Sequence, residues 1–265
     1  NCSMIKFRDL IKKPWTWTIL PALLFALPFS LQAGWGQWLG LSLLLYLISL
    51  IFTYKKSVWL AFFILSLLPS FATSLISQLH SGRAFSSLDQ VIFFVIFFVA
   101  LGLSYFLARR RNIIPPIAVK EFPLGKIALG FGSLFLVSLC VNILAQVLGL
   151  QASTENQEAL NSLAQVIPLG IFAVQTIFAG FFEELTYRVG PFEVLFTKNK
   201  FLAFMTAALL FAGMHSPTDL YSWLVYGSMS LVLTTFYFKY RNFYLNMAIH
   251  MAWNFLGISM TFLLK

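Results

Sequence analysis

The feature that most constrains this chain is a long uncharged stretch that runs into a group of charges. Between Glu158 and Glu183 there are 24 consecutive residues without a charge. About 20 apolar residues in a helix, each rising about 1.5 Å, cross the hydrocarbon core of a bilayer. The stretch ends at the adjacent carboxylates Glu183 and Glu184, which Arg188 follows. We therefore expect two acids and an arginine at membrane depth, where each charge costs about 2.5–3.5 kcal/mol and usually serves a function.

The spacing of these three charges predicts that one acid is paired and the other is not. Glu184 and Arg188 are four residues apart with the acid first, which is the favourable order for an ion pair on one helix face. Glu183 points about 100° away around the helix. In a simpler interpretation, the three charged residues lie near the end of a span and their side chains extend to water at the membrane surface. We favour it less, because acidic side chains are short and reach poorly.

The composition agrees with a chain embedded in a bilayer. Hydrophobic residues make up 59% of the sequence, charged residues make up 10%, and the mean hydropathy is +0.83. Soluble domains of this length do not have such a composition. Continuous apolar runs, such as residues 38–52 and 91–99, favour helices over alternating strands. We predict an all-α fold, a polytopic transmembrane helical bundle.

Charged and polar residues divide the chain into eight or nine predicted spans. Two lie between residues 14 and 54, and six others cover 58–77, 90–108, 127–148, 201–215, 222–238 and 244–264. The span that carries the two acids begins near residue 168, and its helix can continue past Arg188 to residue 196. Gly190 and Pro191 are predicted to kink the helix that carries the acids. The polar segment 151–165 is predicted to hold a short surface helix. This gives three parts, a cytoplasmic segment (1–13), N-terminal transmembrane helices and loops (14–165), and a helical core that carries the two acids (166–265).

The basic residues predict the orientation in the membrane. If the N-terminus is cytoplasmic, 16 of the 18 lysines and arginines fall on the inner side or the inner half of a span. A bias of this strength fixes topology by the positive-inside rule. The net charge of +9 is then explained by anionic lipid at the cytoplasmic face, and nucleic acid is not an expected partner.

A count of residues from one turn places a histidine level with the unpaired acid. The turn is predicted at residues 197–200, and Glu183 and His215 are each 16 residues from Asn199. In antiparallel helices both residues then lie about 24 Å from the turn. We predict that a Glu183 carboxylate oxygen lies within about 6 Å of a His215 ring nitrogen, a range over which charges perturb each other.

The last span contributes two more polar residues at membrane depth. His250 and Asn254 are four residues apart, so they share a helix face. They lie 9 and 13 residues beyond Arg241, which is well inside the bilayer. Acids, histidines and an amide from three helices are therefore expected to meet between the last four helices.

These motifs, in this order, resemble those of a known family. Glu-Glu-x-x-x-Arg at residues 183–188, Phe-x-x-x-His at 211–215 and His-x-x-x-Asn at 250–254 are similar to the CAAX protease and bacteriocin-processing (Abi) family. That family includes the type II CAAX prenyl endopeptidases, and the resemblance covers about residues 168–264. It implies an intramembrane endopeptidase in a bacterial plasma membrane that acts on a membrane-associated or lipidated peptide.

The resemblance also implies roles for individual residues. Glu183 and His215 would activate water, and His250 and Asn254 would lie near the oxyanion. Glu184 and Arg188 would be a supporting pair. Peptide hydrolysis needs a base for water, donors for the oxyanion and an acid for the leaving amine, and these side chains can supply them.

Three alternatives stay open. Glu183, His215 and His250 could form a zinc site with an open fourth position, although the familiar His-Glu-x-x-His helix is absent and we favour a reaction without a metal cofactor. A transporter with a buried ion site is conceivable, but the spans show no inverted repeat. The third alternative is a non-catalytic membrane regulator or bacteriocin-immunity protein that binds a peptide.

Overall fold

The computed structural model describes residues 35–53, 56–79, 84–150 and 153–263, together with positions 19, 22 and 23. Within these ranges there are nine α-helices, a 3₁₀ turn at Val119–Glu121 and a π-helix at Leu185–Leu195. The α-helices are α1 (Trp35–Thr53), α2 (Ser57–Leu79), α3 (Ser87–Arg110), α4 (Leu124–Val147), α5 (Glu155–Val166), α6 (Leu169–Glu184), α7 (Lys200–Met214), α8 (Leu220–Tyr240) and α9 (Phe243–Leu263).

The predicted all-α class is confirmed in the described ranges, which contain no strand. Among the described residues, four segments are long and apolar enough to cross a membrane, namely Ser57–Leu79, Ser87–Arg110, Val119–Val147 and Leu169–Leu195, and Lys200–Met214 is a shorter apolar helix. For six spans from residue 58 onward, both predicted ends lie within three residues of the observed helix ends, and the span that carries the two acids begins one residue from its predicted start. The first predicted span, which begins at Pro14, lies almost wholly outside the described residues. The total of eight or nine spans therefore stays a prediction.

The chain divides into two compact units, residues 1–60 and 61–265. The first unit contains α1 and the start of α2. The second contains the remainder of α2 and every later element. All the motif residues belong to the second unit.

The predicted surface helix is present as α5, and its first turn explains where it begins. The Thr154 hydroxyl caps the helix by accepting a hydrogen bond from the Gln157 backbone N–H at 3.1 Å. Glu155 and Glu158 lie in the first turn, where negative charge complements the helix dipole. Helix α6 begins three residues after α5 ends, so α5 leads directly into the helix that carries both acids.

Helix α6 packs along α9, and a glycine allows their close approach. A Cβ atom on Gly180 would lie 3.0 Å from the Met251 backbone nitrogen and 3.3 Å from the His250 carbonyl carbon. Gly180 is one turn before Glu184, so this close contact lies beside the acids. Small residues at helix contacts in membranes permit such packing. This contact sets how far His250 lies from the carboxylates.

A buried apolar cluster lies beside this contact. It is formed by Leu134, Tyr187, Phe211, Leu233, Leu245 and Ile249, which come from α4, the π-helix, α7, α8 and α9. Because these helices share one core, the elements that carry the motifs are held at fixed positions relative to each other.

The segment after Glu184 differs from the prediction. A helix kinked at Gly190 and Pro191 was expected, whereas the chain continues from α6 as an eleven-residue π-helix with Pro191 inside it. Proline has no N–H to donate, so the regular α-helical bonding pattern cannot run through this position. Residues 185–192 are all buried, and Arg188 has no exposed surface. The wider π-helix thus carries a charged residue through the protein interior, and such segments are frequent at functional sites.

Candidate active site

Glu183 faces two histidines from two other helices. Its Oε2 atom lies 4.0 Å from His215 Nε2 and 3.7 Å from His250 Nε2. The predicted limit of about 6 Å between Glu183 and His215 is therefore confirmed. The side chains of Glu183 and His215 are 23% and 17% exposed, whereas that of His250 is 3% exposed. Glu183 and His215 are therefore the accessible members of this group, whereas His250 is buried.

His215 is oriented by a backbone bond and by two aromatic rings. Its Nδ1 atom lies 2.7 Å from the Phe211 carbonyl oxygen, and because a carbonyl only accepts, Nδ1 carries the proton. The imidazole stacks on Tyr226 with centroids 4.5 Å apart and contacts the Phe211 ring at 4.4 Å. The Tyr226 hydroxyl shares a hydrogen bond of 2.9 Å with the Thr154 hydroxyl. The neutral ring therefore presents its Nε2 lone pair to Glu183.

Glu184 is buried and makes polar contacts with several neighbouring side chains. Its Oε1 atom lies 3.1 Å from Arg188 Nη1, which confirms the predicted ion pair, and both side chains have no exposed surface. The same oxygen lies 2.8 Å from His250 Nδ1. The pairing of Glu184 with His250 was not predicted, because Glu184 was expected to serve Arg188 alone.

The contact between Glu184 and His250 fixes the chemistry of the second histidine. An ionised carboxylate accepts hydrogen bonds, so His250 Nδ1 is the protonated nitrogen and Nε2 is the acceptor in the neutral ring. Three lone-pair acceptors thus face one another, namely Glu183 Oε2, His215 Nε2 and His250 Nε2. At 3.7–4.0 Å they do not hydrogen-bond directly. A hydrogen-bond donor such as water, or a cation, is the species that this arrangement suits.

Arg188 is held by charge and by an aromatic ring. Its guanidinium carbon lies 4.0 Å from the centroid of the Phe211 ring, in addition to the ion pair with Glu184. Such stacking stabilises a desolvated cation. The Phe211 ring also contacts both histidines, with a centroid separation of 5.6 Å from His250. This phenylalanine therefore fills the space between the supporting charges and the histidines.

Asn254 lies on α9 one turn beyond His250, as predicted. Its amide nitrogen donates a hydrogen bond of 2.9 Å to the Thr176 carbonyl oxygen on α6. This bond uses one of its two amide hydrogens and ties α6 to α9. The role of Asn254 as an oxyanion donor stays a prediction that rests on the second hydrogen.

Sequence reasoning missed two residues of this site. Asn246 donates to Glu184, and Tyr226 stacks on His215. The position of Asn246 did carry a signal, since Asn246, His250 and Asn254 recur every four residues along one face of α9. Tyr226 carried none, because it is one aromatic residue among many on an apolar helix.

The geometry bears on the zinc alternative in two ways. The donor set of Glu183, His215 and His250 has the chemistry of a zinc site, because all three lone pairs converge. Two ligands of a tetrahedral zinc lie about 3.3 Å apart when each is about 2.0 Å from the metal, so both observed separations are longer. Within the described ranges no group of three or more potential ligands is close enough to form a metal centre.

Comparison with known proteins gives two matches. Residues 165–256 match the family model described as type II CAAX prenyl endopeptidase Rce1-like. This agrees with the resemblance to the CAAX protease family. The chain is 51% identical over 260 residues to the UPF0177 protein YvdC of Lactococcus lactis subsp. lactis (strain IL1403), with 98% of each chain covered. No solved structure matches the chain. The family-model match includes α6, the π-helix, α7, α8 and the residues of α9 that form the site.

Proposed function

Because this chain belongs to the family of the UPF0177 protein YvdC and carries a type II CAAX prenyl endopeptidase Rce1-like region, we propose that it is an intramembrane endopeptidase. It hydrolyses a peptide bond with water activated by Glu183 and His215. The observation that carries this proposal is the convergence of Glu183 Oε2 with two imidazole nitrogens at 3.7 and 4.0 Å. Several apolar helices make the chain an integral membrane protein.

In the proposed reaction, one water molecule donates hydrogen bonds to Glu183 and His215. Glu183 takes a proton from this water as its oxygen attacks the scissile carbonyl carbon, and a tetrahedral oxyanion forms. Asn254 donates to that oxyanion from its second amide hydrogen. The carbon–nitrogen bond then breaks, and the leaving amine must receive a proton.

His250 is the proposed route for that proton. Its Nδ1–H is held by Glu184, so Nε2 can donate only after it has gained a proton. The Glu183 carboxyl, protonated by the water and 3.7 Å away, is the nearest source. His250 then hydrogen-bonds the oxyanion from the protonated Nε2 and transfers that proton to the leaving nitrogen as the carbon–nitrogen bond breaks. The carboxylate of Glu184 stabilises the transient imidazolium.

A zinc-dependent version of the same protease is the second candidate. The specific observation in its favour is that the tautomers of His215 and His250 both direct a lone pair toward Glu183. In that case the three residues would be ligands, and the metal would supply Lewis-acid activation of water. We favour the version without a metal cofactor because both oxygen–nitrogen separations exceed the ligand spacing of zinc.

We further propose the setting in which the enzyme acts. The protein spans a bacterial plasma membrane eight or nine times with its N-terminus in the cytoplasm, and anionic lipid contacts its basic inner face. The substrate is a peptide in the membrane or at its surface, and a lipidated peptide is included. The partial exposure of Glu183 and His215 supports access of such a chain to the site.

The decisive experiment compares peptides from membranes that contain the wild-type protein or the Glu183→Gln variant. The matched control is Glu193→Gln, because Glu193 is also partly exposed and paired but contacts Tyr237 and Arg241 instead of the histidines. Fragments that depend on the wild-type protein should disappear with Glu183→Gln and persist with Glu193→Gln. Glu183→Gln should retain the wild-type melting temperature.

The opposite result would favour the non-catalytic alternative. Identical peptide profiles for all three proteins, with retained binding of a peptide or partner by Glu183→Gln, would identify a membrane regulator or a bacteriocin-immunity protein. A profile that changes equally with both substitutions would point to a general loss of folding.

A further inference from the structure

Asn246 makes two hydrogen bonds that join three helices. Its amide nitrogen donates to Glu184 Oε2 at 3.1 Å and to the Leu233 carbonyl oxygen at 2.7 Å. Glu184 ends α6, Leu233 lies on α8 and Asn246 lies on α9. The asparagine is completely buried. One side-chain amide therefore ties the helix of the acids to both α8 and α9.

The chemistry of the partners fixes which way this amide points. A carboxylate and a backbone carbonyl both accept, so the NH₂ group must face them. Turning the amide over would place its oxygen against two other oxygens. Consistent with this orientation, Asn246 Oδ1 is a buried atom without a hydrogen-bond partner in the described part of the chain. An unpaired buried oxygen costs about 1–3 kcal/mol, so apolar packing alone does not account for an asparagine here.

The bond divides the two oxygens of Glu184 between different partners. Oε2 is taken by Asn246, and Oε1 is shared by Arg188 and His250. With both ends held, the carboxylate cannot rotate about its terminal torsion without breaking a buried hydrogen bond. Because the carboxylate can only accept, its fixed position keeps the proton of His250 on Nδ1.

We propose that Asn246 is a positioning residue, which holds Glu184 so that His250 keeps its Nε2 lone pair directed at Glu183. The expected effect of Asn246 on turnover rests on the proposed function, since only the proposed hydrolysis requires His250 Nε2 to take up a proton. The tautomer itself does not depend on that function. Helix α9 thus contributes one residue from each of three successive turns to the site, in the order Asn246, His250 and Asn254.

The proposal is tested by nitrogen-15 NMR of the full-length protein in lipid bilayers with labelled histidine. The chain has three histidines, so few ring signals are present, and the His250 signal is the one lost in His250→Gln. Protonated and unprotonated ring nitrogens differ widely in chemical shift, which reports the tautomer directly. We expect His250 to be protonated at Nδ1 in the wild-type protein.

Two variants remove the amide in different ways. Asn246→Ala deletes it, and Asn246→Leu fills a similar volume without a donor, so one of them is expected to fold. In either variant the His250 signal should change to a mixture of tautomers, and turnover should fall about 10- to 100-fold, as for other carboxylate–histidine pairs that lose their support. The matched control is Asn142→Ala, which also removes a hydrogen bond between helices, that from the Tyr221 hydroxyl, but does not contact Glu184. It should leave the His250 signal unchanged.

The outcomes separate this proposal from the proposed function. A wild-type His250 protonated at Nε2, or an unchanged His250 signal in a folded Asn246 variant, would overturn the positioning role. A changed His250 signal in a protein whose wild-type form cleaves no peptide would support the positioning role and refute the protease assignment.

Discussion

Replacing Gly180 by alanine should separate the two helices that bring His250 to the carboxylates. The added Cβ would lie 2.9 Å from Met251 Cγ, 3.0 Å from the Met251 backbone nitrogen and 3.3 Å from the His250 carbonyl carbon. The methionine side chain can move aside, but the two backbone atoms cannot. Ordinary contacts between such atoms are about 3.5 Å or longer, so α6 and α9 must part by roughly half an ångström.

The size of the effect follows from where the separation occurs. Gly180 is one turn before Glu184, so the displacement acts directly on the 2.8 Å contact between Glu184 and His250. Overpacking of this kind costs about 1–3 kcal/mol in stability. A misplacement of about 1 Å can cost about 100-fold in rate, so roughly half that displacement should lower turnover about tenfold.

The assay measures the initial rate of peptide release and the melting temperature of the purified protein in the same detergent. The control is Gly170→Ala on the same helix, since a Cβ atom there meets nothing within 4 Å. Gly170→Ala should keep full activity with unchanged or slightly higher stability. Wild-type turnover in Gly180→Ala would show that the close approach of α6 and α9 does not set the geometry of the site.

The remaining predictions concern the charged and amide groups. Glu184→Gln should lower the free energy of unfolding by about 3–5 kcal/mol, because Arg188 loses its buried partner. Glu183→Gln should abolish activity but leave the free energy of unfolding unchanged. Equal melting temperatures for the two variants would contradict this division of roles. Asn254→Ala should lower turnover about 10²–10³-fold with little change in KM. It should also lower the free energy of unfolding by about 1 kcal/mol, because the hydrogen bond to Thr176 is lost. A change in KM alone would argue against an oxyanion donor. Dialysis against a chelator should leave turnover intact. The zinc-dependent candidate would be favoured if the purified protein retained one equivalent of zinc, lost activity when the zinc was removed, and regained activity when zinc was added back.

The sequence by itself determined where most helices lie and that Glu183 and His215 are at the same height above their shared turn. Stretches without charges predicted both ends of six helices from residue 58 onward to within three residues, and the start of α6 to within one. Equal spacing of Glu183 and His215 from one turn predicted their proximity, and the four-residue interval predicted the ion pair of Glu184 with Arg188. These inferences succeed because rise per residue and residues per turn are fixed properties of an α-helix.

The tertiary structure decided how side chains from different helices pair. Helical spacing states which residues share a face of one helix, but the rotation and crossing of helices depend on side-chain packing across several of them. The contact of Glu184 with His250 follows from the approach of α6 to α9 at Gly180, and the role of Asn246 follows from the position of Leu233 on α8. The π-helix that carries Arg188 also arises from this environment, because a buried proline segment must find its backbone bonds within the space that its neighbours leave.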